Sequence, residues 1–224
     1  MKQLILPALA ALFFWTGCTH YYYSPNTLNI PMLRKQHDAS ISIARYSGAE
    51  AKGVEAQAIY SPVKYAGVMF NHLKIPQRTN GNNGNYTEWG RGSMTEGGVG
   101  GYYPYRPFTL SLFGGYGGGW AENAYESNQT SIYQQESLQT RLQFQRWFLQ
   151  PSLSFRVKWL QLGFGMRRVW LNYVKGDIEY QIDPKELDSI KNIESQGSFQ
   201  FWEKGFSFGF HFTGFSLTYN NVSL

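Results

Sequence analysis

The sequence predicts an all-β protein: an antiparallel, up-and-down transmembrane β-barrel of about 8–10 strands, with a short helix in one external loop. Three observations carry that expectation. Apolar and polar residues alternate with period two through most of the chain. Aromatics make up 17% of the 224 residues and charged residues only 16%, beside 24 glycines, whereas soluble domains run nearer about 25% charged. Predicted connections alternate between tight and long, as in barrels with short periplasmic turns and longer external loops. Residues 4–15 form the longest nearly apolar stretch, too short for a membrane-spanning helix of about 20 residues.

The chain opens with Lys2, an apolar run from Leu4 to Trp15, and then Thr16-Gly17-Cys18. This layout predicts a secretory signal peptide over 1–17. It resembles a bacterial lipoprotein signal, in which the cysteine is acylated and becomes the new first residue, so Cys18 is the expected lipidation site (a palmitate-type anchor). Trp15 departs from that pattern, which favours an aliphatic residue there. No acidic cluster follows Cys18, and the resemblance then implies an anchor on the periplasmic side of the outer membrane. Residues 18–38 contain Pro25, Pro31, Asn26 and Asn29 and read as a lipidated extended tether. The barrel domain is expected over 39–224.

Within that domain, Ile41 and Ile43 alternate with Ser40, Ser42 and Ala44, and Val54, Ala56, Ala58 and Tyr60 alternate with Glu55 and Gln57. Ser61-Pro62 marks a tight turn, after which Ala66, Val68 and Phe70 continue the pattern. The asparagine- and glycine-rich run 76–92 predicts a long loop. Beyond the turn at Pro104–Pro107, Phe108, Leu110, Leu112 and Tyr116 share one face, and Thr109, Ser111, Gly115, Gly117 and Gly119 the other. Trp147, Leu149, Leu153, Phe155 and Val157 continue the outward pattern. Leu142 and Phe144 lie on the opposite parity, which predicts a bulge near Arg146. After a turn at 157–159, Leu160, Leu162, Phe164 and Met166 alternate with Gln161, Gly163, Gly165 and Arg167. Phe206, Phe208, Phe210 and Phe212, separated by small or polar residues, suit a lipid-facing strand. Long loops are also expected at 121–133 and 176–196. In the second of these, Asp183-Pro184-Lys185-Glu186 followed by Leu187, Ile190 and Ile193 predicts a short amphipathic helix. Tyr102, Tyr103, Tyr105, Trp120, Trp159, Trp170 and Tyr173 fall near predicted strand ends, where interfacial girdles form. The final alternation of Phe215, Leu217 and Tyr219 leaves the strand count between eight and ten.

Tyr21-Tyr22-Tyr23-Ser24-Pro25-Asn26 through Asn29-Ile30-Pro31, together with Phe148-Leu149-Gln150-Pro151-Ser152, resembles the small outer-membrane β-barrel lipoproteins of Bacteroidetes-type bacteria. The likeness implies the barrel fold and an outer-membrane location. That family has no established activity to transfer.

Candidate chemistry is sparse. The histidines are His20, His37, His72 and His211, and no nucleophile elbow accompanies them. Gly114 through Gly119 falls in a predicted strand, not before a helix, so it is no phosphate loop. Glu55, Glu96 and Glu203, with Arg156 and Arg167, are expected to pair inside the barrel and fill it. One cysteine allows no intrachain disulfide, and no spaced ligand set points to a metal. Net charge is +5, with basic residues scattered, so no nucleic-acid patch is expected. The expected role is non-enzymatic: an outer-membrane lipoprotein that contacts outer-membrane lipids, without cofactor, acting structurally or through its loops on a surface or periplasmic partner. Two alternatives stand beside it, a periplasmic lipocalin-like barrel around an apolar ligand and an outer-membrane lipid-modifying enzyme using His72.

Overall fold

The computed structural model describes residues 26–47, 52–82, 86–127, 137–183, 186–193, 198–212 and 215–223. Among them are ten strands: β1 (Ala39–Ser47), β2 (Lys52–Val63), β3 (Ala66–Asn82), β4 (Tyr86–Tyr105), β5 (Phe108–Ser127), β6 (Ser137–Val157), β7 (Leu160–Asp183), β8 (Glu186–Ile193), β9 (Ser198–Phe212) and β10 (Phe215–Ser223). They form one antiparallel up-and-down sheet in the order β1-β2-β3-β4-β5-β6-β7-β9-β10, with β8 on β7. The sheet curls until β1 approaches β10, but among the described residues no register joins those two edges. β9 pairs with the first half of β7, Leu160 to Asn172, and β8 with the second half, Gly176 to Asp183. Both share one edge, so β1 and β10 run in the same sense. Closing the sheet would therefore require a parallel pair.

The expected tight turns are present. Val63 pairs with Ala66, Tyr105 with Phe108 and Val157 with Leu160, leaving two residues in each connection. Tyr65, Arg106 and Lys158 in these turns adopt left-handed backbone, with φ of 67°, 53° and 50°. That conformation costs a non-glycine residue roughly 1–2 kcal/mol. Replacing exposed Lys158 by glycine is therefore expected to stabilise the fold by about 0.5–1 kcal/mol, net of the greater backbone entropy that glycine loses. The midpoint of urea unfolding measures it.

Several expectations need correction at the opposite end of the sheet. Among the described residues of 183–193 there is no helix. Asp183 pairs with Glu186, and β8 continues as a strand to Ile193. An isolated helix of this length is marginal in water, whereas β7 beyond Asn172 presents an unpaired edge that β8 satisfies. The 76–92 loop is instead mostly strand, with β3 reaching Asn82 and β4 starting at Tyr86. β5 likewise extends to Ser127, so residues 121–127 of the expected 121–133 loop are strand, and 128–136 lie outside the described residues. The bulge belongs to β7 rather than β6. Gln143 pairs with Lys175 and Phe144 with Tyr173, so the extra residue is Val174.

The two faces of the sheet have inverted chemistry. Outward residues include Ile41 and Ile43 (71% and 74% exposed), Val99, Leu110, Leu112, Leu149, Phe164 and Phe206. The buried, inward set includes Glu55, Gln57, Asn71, Glu96, Arg146, Gln150, Arg167 and Glu203. Phe206 is outward as expected, while the side chains of Phe210 and Phe212 lie outside the described residues. Tyr103, Tyr105 and Trp159 are exposed near the short turns. Tyr102 is not a girdle residue. It is 3% exposed and its hydroxyl shares a 2.8 Å hydrogen bond with Ser61 Oγ inside the sheet. Tyr173 also turns inward, edge-on to Phe144.

Candidate functional site: a plugged polar lumen

Residues 26–33, read from sequence as part of a tether, run through the interior of the curled sheet. Asn26, Thr27, Leu28, Asn29, Ile30, Pro31, Met32 and Leu33 are all buried. The segment is outside the sheet's ladder and forms a plug. It then hooks at 34–38, near the short-turn end, into β1. In the hook, the Arg34 and Lys35 amides donate to Asp38 Oδ2 at 2.8 and 3.1 Å, and the His37 amide donates to Ser61 O at 2.8 Å. His37 takes φ 63° to make the reversal. Arg156 on β6 pairs with Asp38 at 3.8 Å, fastening the hook from the opposite wall.

Extended backbone places alternate residues on opposite sides, and the plug uses this. Thr27 and Asn29 address β2 and β3. The Thr27 amide and hydroxyl donate to Glu55 Oε2 at 2.8 and 2.6 Å, and Gln57 Nε2 donates to Thr27 O at 2.8 Å. Asn29 Nδ2 donates to Asn71 Oδ1 at 2.9 Å and to Ala58 O at 3.2 Å. Leu28, Ile30 and Met32 address β7, where Gly163 and Gly165 make room. A Cβ at Gly163 would lie 2.8 Å from Ile30 Cγ2 and 3.1 Å from Met32 Cε, and one at Gly165 would lie 3.1 Å from Leu28 Cδ2. Substituting valine for Gly163 is expected to overpack this contact and cost about 1–3 kcal/mol. Chemical denaturation checks the loss, and faster proteolysis at Arg34–Lys35 checks displacement of the plug.

Asn26 sits within an ion cluster. Arg146 Nε donates to Glu96 Oε2 at 2.8 Å, its Nη2 bonds Glu96 and Asn26, and its Nη1 lies 3.5 Å from Glu203. Arg167 Nη1 reaches Asn26 Oδ1 at 2.7 Å, Glu96 at 3.2 Å and Glu203 at 3.5 Å. Its Nε donates to Gln150 Oε1 at 2.9 Å, and the guanidinium lies 4.9 Å from the centre of the Phe148 ring. Asn26 Nδ2 and Asn71 Nδ2 both donate to Glu96 Oε1, at 2.8 and 2.6 Å. Gln150 Nε2 reaches back to the plug at Asn29 O, at 2.8 Å. Buried charges held this way are compensated on nearly every side.

The expected lumen pairing therefore holds for Glu96, Glu203 and Arg167. Glu55 bonds the plug and Gln57, and Arg156 serves the hook instead. Arg146, at the heart of the cluster, is missing from the expected set. The signal for it was present: Gln150, Ser152, Ser154 and Arg156 define an inward parity that runs unbroken through Arg146. Above the cluster, Leu73, Met94, Phe144, Val169 and Leu171 form an apolar layer.

The histidines do not assemble a site. His72 shares a 2.8 Å hydrogen bond with Thr95 Oγ1 on the outer face, and His37 shares one of 2.8 Å with Tyr60 at the short-turn end. His20, the side chain of His211 and the expected lipidation site Cys18 lie outside the described residues. Among the described residues no cluster of three potential metal ligands occurs, and no helix is long and apolar enough to cross a membrane. No family model matches the chain, and comparison with curated proteins and with solved structures finds no match.

Proposed function

We propose that the protein is an outer-membrane lipoprotein, anchored at Cys18, whose curled sheet spans the bilayer around a plugged lumen. Its role is structural or one of surface interaction rather than catalysis. One observation carries this reading: the apolar face of the sheet looks outward and the charged face inward. A water-soluble β-protein buries its apolar face, and contiguous exposed apolar patches beyond a few hundred Å² mark an interaction surface. Membrane-spanning barrels have a polar interior and an apolar outer band.

The height of the band supports the reading. Along β5 it runs from Phe108 to Tyr116, the latter tilted against Trp147 with ring centres 4.6 Å apart. Eight residue steps at ~3.4 Å each, tilted ~40°, give roughly 20 Å, near the ~25 Å expected of such a band. Beyond it the outer face turns charged. Arg91 pairs with Glu122 at 2.7 Å, Gln139 also donates to Glu122 at 2.7 Å, and Arg141 lies 5.8 Å from the centre of the Trp120 ring. The β3–β4, β5–β6 and β7–β8 hairpins extend past this boundary and offer polar surface to a partner. A lipocalin-like arrangement would instead turn Phe206 and Leu112 inward, around an apolar ligand.

Heat-modifiability tests the proposal. In urea-washed membranes the unboiled protein is expected to migrate differently from the boiled protein in mild SDS. Release by urea without any mobility shift would overturn the spanning reading.

A further inference from the structure

We propose that residues 26–33 are a releasable plug, and that the lumen beneath them is a latent water-filled passage held shut by the chain's own amino-terminal segment. The inference rests on the spanning reading for its passage and on the lumen's geometry for its plug.

Three features separate this segment from a permanent core element. First, it lies outside the ladder, so its departure breaks no strand pairing. Second, it carries no charge. The wall's ions pair with one another without it: Arg146 with Glu96 and Glu203, Arg167 with Glu96, Glu203 and Gln150. Withdrawing Asn26 therefore removes a neutral amide and leaves each ion of that cluster with an opposite charge, whereas withdrawing a charged plug would strand its partner. Glu55 loses the Thr27 amide and hydroxyl and keeps Gln57 Nε2 at 2.8 Å. Third, part of the inward wall is hydrophilic, including Gln57, Asn71, Thr109, Ser111, Gln150, Ser152 and Ser154, all buried at 8% exposure or less, beside an apolar part (Ile59, Met69 and Phe113) that clusters with Leu33. A wall that only had to pack Leu28, Ile30 and Met32 would do so better with apolar side chains. Hydroxyls, amides and paired ions are the lining that water can replace a plug against.

The hook is the natural release point. Lys35, Gln36 and His37 are exposed near the short-turn end, and cleavage there would sever the covalent link between the plug and β1. Glu55, Glu96 and Glu203 outnumber Arg146 and Arg167 around the lumen, so the opened passage favours cations. The apolar layer of Leu73, Met94, Phe144, Val169 and Leu171, each no more than 5% exposed, is packed and forms the constriction that the opened passage must wet in order to conduct.

The test uses the full folded chain with a specific protease site replacing Lys35-Gln36, reconstituted in vesicles of neutral phospholipid with entrapped potassium. Before cleavage, potassium efflux is expected to equal that of protein-free vesicles. The chain carries Cys18→Ala, so that no acyl anchor retains the peptide; after cleavage and mild urea, the peptide containing residues 26–33 is expected to leave, while the barrel keeps its heat-modifiable mobility. Efflux should then rise at least tenfold, with potassium favoured over chloride. A peptide that stays bound until the barrel itself unfolds would overturn the proposal, as would a plug-free, still-folded barrel that leaks no ions. Because peptide release is also read in detergent micelles, failure of the plug inference is distinguishable from failure of the spanning reading, which would show as no insertion into vesicles. If cleavage destabilises the barrel, the uncleaved Gly163→Val variant provides the second measurement. Its overpacked plug should raise efflux above the intact level, and unchanged efflux from this variant would count against the passage.

Discussion

Replacing Arg146 with alanine is expected to destabilise the folded protein by about 3–5 kcal/mol, the cost of leaving a buried ion uncompensated. Arg146 is fully buried and binds Glu96, while also approaching Glu203. Without it, two buried carboxylates share Arg167 alone. The measurement is the urea midpoint for folding into lipid vesicles, read beside the fraction that keeps its folded mobility in mild SDS. The double variant Arg146→Met/Glu96→Gln should recover more than half of the loss, because it removes one of the stranded charges together with its partner. Equal losses in the single and double variants would mean that Arg146 contributes by packing rather than by charge.

The second large effect belongs to the outer face. Leu112 is 52% exposed midway along the apolar band. Exchanging it for arginine should cost about 2–4 kcal/mol when the protein folds into a bilayer, as a charge at the lipid midplane does. Tyr105, 61% exposed beside a short turn, should accept arginine at a cost of about 0–1 kcal/mol. On a water-facing surface both substitutions would fall within about 0.5 kcal/mol. A depth-dependent penalty thus separates lipid contact from water contact at equal exposure.

Much of this fold was legible in the sequence, because period-two patterning sets which face each strand residue occupies. Leu110, Leu112, Phe164 and Phe206 stand outward, and Gln161, Gly163, Gly165 and Arg167 inward, as the alternation predicts. The short turns were legible from Pro104–Pro107 and Lys158, whereas Ser61-Pro62 lies within β2 beside a register shift and the turn itself falls at Lys64–Tyr65. The strand extensions were hidden because glycine and asparagine near 80–92 carry low strand propensity, and cross-strand pairing overrides that preference. Helical spacing of Leu187, Ile190 and Ile193 misled for the same reason, since β7 supplied a partner edge that local pattern does not encode. Parity failed near Arg146 because Leu142 and Phe144, though apolar, lie on the inward parity of β6. A rule of apolar-outward residues cannot distinguish them from lipid-facing ones.

The plug was the least legible element. Thr27, Asn29 and Pro31 alternate with Leu28, Ile30 and Met32, a period-two pattern that prolines and asparagines disguise as a linker. Its partners are Glu55, Asn71, Glu96, Arg146, Gly163 and Arg167, most of them far away in sequence. Pairing of that range follows from the curl of the sheet and from no local signal.

The central claim is that the outer face of this sheet touches lipid. Tryptophan quenching tests it most directly, because Trp147 and Trp202 are exposed on that face. In vesicles whose phospholipids carry bromine on the acyl chains, the account predicts strong quenching of tryptophan emission and little further quenching by aqueous iodide. Emission untouched by the brominated chains but quenched by iodide would place the apolar face in water and contradict the account.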